Sequence, residues 1–213
     1  MSVLMRAPQE CASWEWDLDG LAPPGLDAAL MAAARMSAVL REHGLLEPAR
    51  LEWKWLVIGR GSIGVTTSLT LRGTLDEAVL SQRVRECRPA AYPEAEVGAL
   101  TVSGPGTWLD AEGKEHQEPD LVALTVYPDE RHLGAEVALF HDIWGYCDFR
   151  GIPHPDVQRR NAPRLAAALR ELESLLGRSA QPGDPTYFGH AEDHGLEMPD
   201  LIDGRGPDLT DML

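Results

Sequence analysis

Residues that could carry out chemistry concentrate in the segment 141–156, which holds histidines, carboxylates and a cysteine close together. His141 and Asp142 are side chains that can exchange protons near neutral pH. Cys147 could act as a nucleophile with His154 a few residues away. The spacing of these residues matches neither a nucleophile elbow nor a known Cys–His signature. The segment is therefore a candidate catalytic cluster on residue types alone.

The same segment carries three aromatic side chains, for which two other roles are open. Trp144, Tyr146 and Phe149 follow a predicted strand. In the first role they seal the edge of a sheet against a helix, and in the second they contact a partner protein. Aromatic rings more often supply packing area than chemistry, so the packing role is favoured.

Two histidines near the C-terminus have a spacing that would let both face one metal ion on a helix. His190 and His194 lie four residues apart, with carboxylates between and after them. Their order is not HExxH, and Gly189 and Gly195 leave room for at most two helical turns. We therefore predict an acidic surface loop, with no metal ion and no cofactor.

A glycine-rich segment, Gly59–Gly64, matches GxGxxG and follows an apolar segment, as a dinucleotide-binding fold requires. That mechanism also needs a helix N-terminus directly afterwards to bind the pyrophosphate. Residues 65–70 are instead rich in β-branched side chains and alternate in polarity, which is typical of a strand. The segment is therefore predicted to be a hairpin turn that binds no dinucleotide.

An excess of carboxylates dominates the charge of the chain: 34 acidic residues stand against 19 basic ones, for a formal net charge of −15. They concentrate in 108–136 and 183–213, with eight carboxylates in each range. Such a field repels nucleic acid and anionic lipid and attracts basic proteins, although it can also serve solubility alone. We predict a basic protein partner, and neither nucleic acid nor membrane. The predicted partner-binding residues are Asp142, Trp144, Tyr146, Asp148, Glu192, Asp193, Asp200, Asp203 and Asp208.

Length and composition indicate one globular domain of 213 residues, with 44% hydrophobic and 25% charged residues. No apolar run reaches the roughly 18 residues of a membrane helix, and the N-terminus lacks the features of a signal peptide. Three widely spaced cysteines favour a reducing cytoplasm over a disulfide framework. Seventeen Arg against two Lys is typical of a GC-rich bacterial genome.

Hydrophobic periodicity predicts an α+β domain, with helices on one face of a mostly antiparallel sheet of about six strands. The segment 121–127 is placed centrally because it is apolar on both faces. The predicted strands cover 51–58, 63–72, 96–103, 107–110, 114–117, 121–127 and 134–142.

Three helices are predicted, over 25–43, from Thr74 to before Pro89, and over about 162–176. The second begins with a capping box at Thr74, and the third has Asn161 as its N-cap. Residues 1–22 and 178–213 are predicted to be irregular. Trp14 and Trp16 in the first of these segments could cover the sheet or anchor a partner, and covering is favoured.

These observations favour a small acidic cytoplasmic binding protein that neutralises a basic partner. Its most concrete form is an immunity protein against a cognate bacterial toxin such as a nuclease. An inhibitor of such an enzyme competes with phosphate, so an acidic surface speeds its association. Two alternatives stay open: a small enzyme that uses the His141–Asp156 cluster, and a structural component of a bacterial assembly.

Overall fold

An antiparallel sheet is the centre of the fold in the computed structural model. The structure describes residues 4–21, 23–71, 77–129, 132–198 and 201–213, without the side chains of 77 and 78. The strands are β1 (Ala12–Asp17), β2 (Arg50–Val57), β3 (Gly61–Thr70), β4 (Glu96–Ser103), β5 (Pro105–Leu109), β6 (Glu115–Pro119), β7 (Val122–Pro128), β8 (Leu133–Leu139), β9 (Gln181–Pro182), β10 (His190–Glu192) and β11 (Gly195–Glu197). Seven of them form the main sheet in the order β3-β2-β4-β7-β8-β1-β9. The pairs β5–β6 and β10–β11 form separate hairpins.

The described α-helices are α1 (Leu26–Glu42), α2 (Glu77–Glu86) and α3 (Pro155–Leu176), with single 3-10 turns at Asp142–Trp144 and Thr210–Met212. The α1 helix packs mainly over β7, at the middle of the sheet. The predicted α+β class with a mostly antiparallel sheet is thereby confirmed. None of the helices in the described ranges is long and apolar enough to cross a membrane.

Alternation of side chains explains why one face of the sheet is buried. Trp53 and Trp55 of β2 point into the core while Lys54 between them is exposed. The β7 strand lies fourth of seven, in the central position predicted for it. Val122 and Leu124 of β7 are fully buried, whereas the opposite face of the sheet is polar and partly open to solvent.

The glycine-rich segment begins with a turn at Gly59 and Arg60, as predicted, and its residues 61–64 open the β3 strand. The turn joins β2 to β3, which pair antiparallel, and the residues directly after it form the β3 strand and not a helix. Gly59, Gly61 and Gly64 have φ angles of 78°, 81° and 72°, a region in which glycine is favoured. The predicted capping box at Thr74 lies outside the described residues.

The prediction that residues 1–22 are irregular is wrong, because Ala12–Asp17 forms β1 inside the main sheet. This strand pairs with β8 on one side and β9 on the other. Trp14 and Trp16 share its inner face and are each about 1% exposed. Trp14 and Trp16 are therefore part of the sheet itself, where they form a section of its buried face, and do not cover it from outside.

The start of the third helix also differs from its prediction. The α3 helix begins at Pro155, because proline is well suited to the first helical turn, and not near 162. Asn161 is therefore not an N-cap. It lies buried inside the helix, where its amide donates to the Leu109 carbonyl at 2.7 Å and its oxygen accepts the Leu109 N–H at 2.9 Å. These bonds tie α3 to β5.

Candidate partner-binding groove

The aromatic residues of the 141–156 segment divide between core and surface. Trp144 and Phe149 are fully buried, and the Phe149 ring meets Phe188 edge-to-face with centroids 5.1 Å apart. The 3-10 turn that holds Trp144 packs against α3, as the packing role requires. Tyr146 is instead 39% exposed.

Asp142 holds this segment to the N-terminal residues. Its carboxylate is about 1% exposed and accepts the N–H of Met5 at 3.2 Å and, more weakly, that of Phe149 at 3.4 Å. Burial raises the pKa of Asp142 to about 7, although both N–H groups act in the opposite direction. Asp142 therefore joins the N-terminal segment to the loop before α3 by hydrogen bonds, and its burial keeps it out of reach of a ligand.

Asp148 has a similar structural task in the loop before α3. Its carboxylate accepts the backbone N–H groups of Arg150 and Ile152, each at 2.9 Å, and the Arg150 guanidinium at 2.6 Å. It is 5% exposed. The loop therefore has a fixed shape, with Ile152 about 40% exposed at its surface.

The candidate nucleophile and its histidine are not assembled for catalysis. Cys147 is buried, and burial raises the pKa of its thiol, which disfavours the thiolate. His154 donates from Nε2 to the Gly145 carbonyl at 3.0 Å. Burial lowers the pKa of His154 and keeps the ring neutral. No hydrogen bond joins these two side chains within the described structure.

His141 is fully buried beside Asp142. Neither ring nitrogen makes a hydrogen bond of good geometry to the described residues, and Nε2 lies 3.7 Å from Oε1 of Glu118. Burial and the Arg6 guanidinium lower the pKa of His141 to about 4, while the nearby Leu121 carbonyl opposes this. The ring is therefore neutral at pH 7.

A groove between α3 and the β10–β11 hairpin gathers several of the predicted partner-binding residues. One end is a cavity of about 400 Å³, and the other is a depression of about 560 Å³ along α3. The two adjoin each other, because Gln158, Glu192 and Gly195 line both. Its walls are residues 192–198 on one side and α3 on the other, and Tyr146 and Leu201 line one end. We call this the α3–hairpin groove.

The hairpin that forms one wall is held at two points. The indole N–H of Trp14 donates to the Asp193 carbonyl at 2.7 Å, which ties the turn to β1. His194 Nε2 lies 2.8 Å from Oε2 of Glu173, which ties the turn to α3. The Asp193 side chain is thereby presented to solvent from a fixed turn.

The structure does not bring His190 and His194 together as a metal pair. His190 faces Glu197 at 3.8 Å, while His194 bonds to Glu173. The closest grouping of metal-type ligands in the described chain lies elsewhere, at Asp17, Asp19 and His132, and all three are exposed.

The described C-terminal residues 201–213, which we call the tail, pack on the loop before α3. Gly206 donates its N–H to the Gly151 carbonyl, and Leu209 donates to the Phe149 carbonyl. This anchoring leaves the carboxylates of Asp203 and Asp208 exposed. Leu201 and Ile202 are 46% and 77% exposed in the same stretch. The tail thus presents apolar side chains beside carboxylates.

The predicted partner-binding residues therefore fall into three groups. Asp142, Trp144 and Asp148 are buried, so a partner cannot contact them unless the loop rearranges. Asp200 lies outside the described residues. The remaining five are accessible in the groove or on the tail: Tyr146, Glu192, Asp193, Asp203 and Asp208.

The α3 wall was missed by the sequence analysis. Gln158 and Arg159 line the groove, but the predicted helix began after them. Pro155, followed directly by the acidic Asp156, was the available sign of the earlier start, because proline and acidic residues are favoured in the first helical turn. This wall also carries two guanidinium groups, Arg159 in an ion pair with Asp156, and Arg170.

Comparison with known proteins found no matching family model, no significantly similar curated sequence and no significantly similar solved structure. We therefore infer function from the geometry and charge of this chain.

Proposed function

We propose that this protein is a small acidic cytoplasmic binding protein that neutralises a basic protein partner through the α3–hairpin groove and the adjoining tail. Its most concrete form is an immunity protein that inhibits a cognate bacterial toxin such as a nuclease. The observation that supports this most is that the exposed carboxylate Glu192 lines the same cavity as the exposed side chains Tyr146 and Leu201. The exposed carboxylates Asp193 and Asp203 follow Glu192 and Leu201 closely in the chain.

Interface physics gives the two kinds of residue different tasks. Aromatic and apolar side chains that become buried supply most of the binding free energy of a protein interface. Carboxylates around them accelerate association with a basic protein and discriminate against acidic ones. A nuclease presents a basic surface to its phosphate substrate, so the carboxylates on the hairpin wall of the groove suit it.

The enzyme alternative has weaker support. His141 and Asp142 are buried without access to a ligand, and the Cys147 thiol has a raised pKa. The side chains that prompted the catalytic interpretation are largely engaged in holding the loop before α3. No feature described here favours the structural-component alternative.

The test removes charge from the groove without removing volume. Glu192→Gln/Asp193→Asn is compared with Glu47→Gln/Glu94→Gln, which changes the net charge equally at exposed carboxylates outside the groove lining. The partner is first captured from the native host on the wild-type protein and identified by mass spectrometry. Association and dissociation are then measured by biolayer interferometry at several salt concentrations.

We expect the groove variant to associate about tenfold more slowly than wild type at low salt, and the control variant to associate at nearly the wild-type rate. Rising salt should remove most of the difference, because exposed charges are screened beyond about 8–10 Å. An acidic or neutral partner, or equal rates for the two variants, would contradict the proposal.

A further inference from the structure

The outer strand of the main sheet, β3, has a backbone edge that no described residue covers. It pairs only with β2. Leu71 donates its N–H to the carbonyl of Ala49, and backbone groups alternate between facing the neighbouring strand and facing away. By this alternation, the N–H and C=O groups of Thr66, Ser68 and Thr70 point outward, and no described residue bonds to them.

This edge lacks the features that usually prevent strand addition. Edge strands in natural proteins are commonly interrupted by proline or carry charges, especially lysine. The β3 strand, GSIGVTTSLT, contains no proline and no ionisable side chain. A register irregularity opposite Gly64 leaves residues 66–70 as a regular pairing segment. These residues are mostly threonine and leucine, which suit an extended strand.

The inward face of β3 is also only partly covered. Ile63, Val65, Leu69 and Leu71 pack against the core but are half-buried. The α1 helix lies mainly over β7 at the middle of the sheet, far from this end. A strand added at the edge would therefore bury apolar surface in addition to forming backbone hydrogen bonds.

We propose that β3 pairs antiparallel with β3 of a second copy of this chain, so that one sheet continues through a two-fold dimer. The charge distribution favours this occupant. The pairing segment itself is uncharged. The β10–β11 hairpin, which carries exposed carboxylates, is tied to β1. In the main sheet β1 lies five strand positions from β3, a distance of about 24 Å at 4.8 Å per strand. That distance exceeds the screening length of about 8 Å at physiological salt.

Two-fold symmetry requires the pairing to be centred on one position, and Ser68 is the middle of the regular segment 66–70. Centring the pair on Ser68 places the outward groups of both copies opposite one another. It sets Thr66 against Thr70 of the second copy, and it aligns Val65 with Leu71 on the inward face. The apolar rows of the two copies then form one strip, as an interface that is self-complementary requires.

The register is tested with charges on the exposed side chains of β3. In Thr66→Lys/Thr70→Lys, like charges would oppose each other twice across the two-fold axis. In Thr66→Lys/Thr70→Glu, opposite charges would meet at the same two places. Both side chains are exposed, so both variants should keep the wild-type circular dichroism spectrum. Within each chain Thr66 and Thr70 lie opposite Lys54 and Arg50 of β2, so the Lys/Lys variant should melt at a somewhat lower temperature than the Lys/Glu variant.

Sedimentation between about 1 and 100 μM covers the range in which a dimer of micromolar affinity dissociates. We expect the wild type and the Lys/Glu variant to reach twice the 23.3 kDa chain mass, and the Lys/Lys variant to stay monomeric. Ser68→Pro, which removes one outward N–H, should also be monomeric. A monomeric wild type, or a dimer that survives in both the Lys/Lys and the proline variants, would overturn the inference. No binding partner enters this test, so its result is separate from that of the proposed function.

Discussion

Burial gives Asp142 a proton affinity unlike that of a surface carboxylate. In the folded protein burial raises its pKa to about 7, against an ordinary value of 3.8. Between these values the folded state binds more protons than the unfolded state. The contribution of Asp142 to the free energy of unfolding is therefore fully present below about pH 4 and is lost as the pH rises through about 7.

We predict that Asp142→Asn removes this loss, because an amide of the same size cannot ionise. The free energy of unfolding of the variant, relative to wild type, should rise from pH 5 to pH 8 by more than about 1 kcal/mol. Urea unfolding followed by tryptophan fluorescence at several pH values measures the difference. Buried His141 and His154, whose pKa values are lowered, titrate in both proteins and largely cancel. A difference that stays constant over this range would contradict the prediction.

At the scale of the element, the pairing of β1 with β8 sets two carboxylates directly opposite each other, Glu15 and Glu136. Tyr127 donates its hydroxyl to Glu136 at 2.6 Å on the same open face of the sheet. Burial and the neighbouring Glu136 raise the pKa of Glu10, so a third carboxylate is close by. Like charges directly opposite in an antiparallel pair destabilise it.

Replacement of Glu15 by glutamine should therefore stabilise the protein by about 0.2–1 kcal/mol at pH 7. Glu52→Gln is the matched control, because Glu52 on β2 lies opposite Ser68 and Thr101 and faces no carboxylate. Urea unfolding at low and high salt measures both variants. The gain from Glu15→Gln should shrink at high salt, where the repulsion is screened. Equal effects of the two substitutions would show that strand pairing is not the cause.

Local sequence patterns predicted the strands with long alternation and missed the strand without it. The β2 strand alternates over eight residues, including Trp53 and Trp55. In β1 only Trp14 and Trp16 mark the inner face amid acidic residues. Its strand partner β8 lies about 120 residues away in the sequence, and a local pattern cannot reveal such a long-range pairing.

Asn161 illustrates how a correct local preference can mislead. Asparagine before an apolar helical stripe is a sound N-cap signal. Here the helix already begins at Pro155, and the Asn161 amide satisfies both backbone groups of Leu109 in the buried contact between α3 and β5. Tertiary packing thus uses the side chain for a partner that the local sequence does not contain.

On the scale of the whole molecule, composition predicted the acidic character but not its arrangement. The groove combines Tyr146 from the loop before α3, Gln158 from the helix, and Glu192 from the hairpin. The Trp14 and Glu173 contacts hold the hairpin where these segments converge. The predicted contacts at Trp144 and Asp148 lie close in sequence to Tyr146 but are buried, because between His141 and Phe149 only the Tyr146 side chain is exposed.

The two proposed interfaces lie at different ends of the main sheet, and this separation makes a prediction about stoichiometry. The groove is tied to β1 through Trp14, whereas the pairing edge belongs to β3, about 24 Å away. A dimer joined at β3 would leave both grooves open. Given the proposed partner, wild type should bind two partner molecules per dimer, and the monomeric Thr66→Lys/Thr70→Lys variant should bind one with an unchanged dissociation rate. Mass photometry gives the stoichiometry, and biolayer interferometry gives the rate. A monomeric variant that loses the partner would show that the two surfaces are coupled, since its substitutions lie far beyond the screening length from the groove.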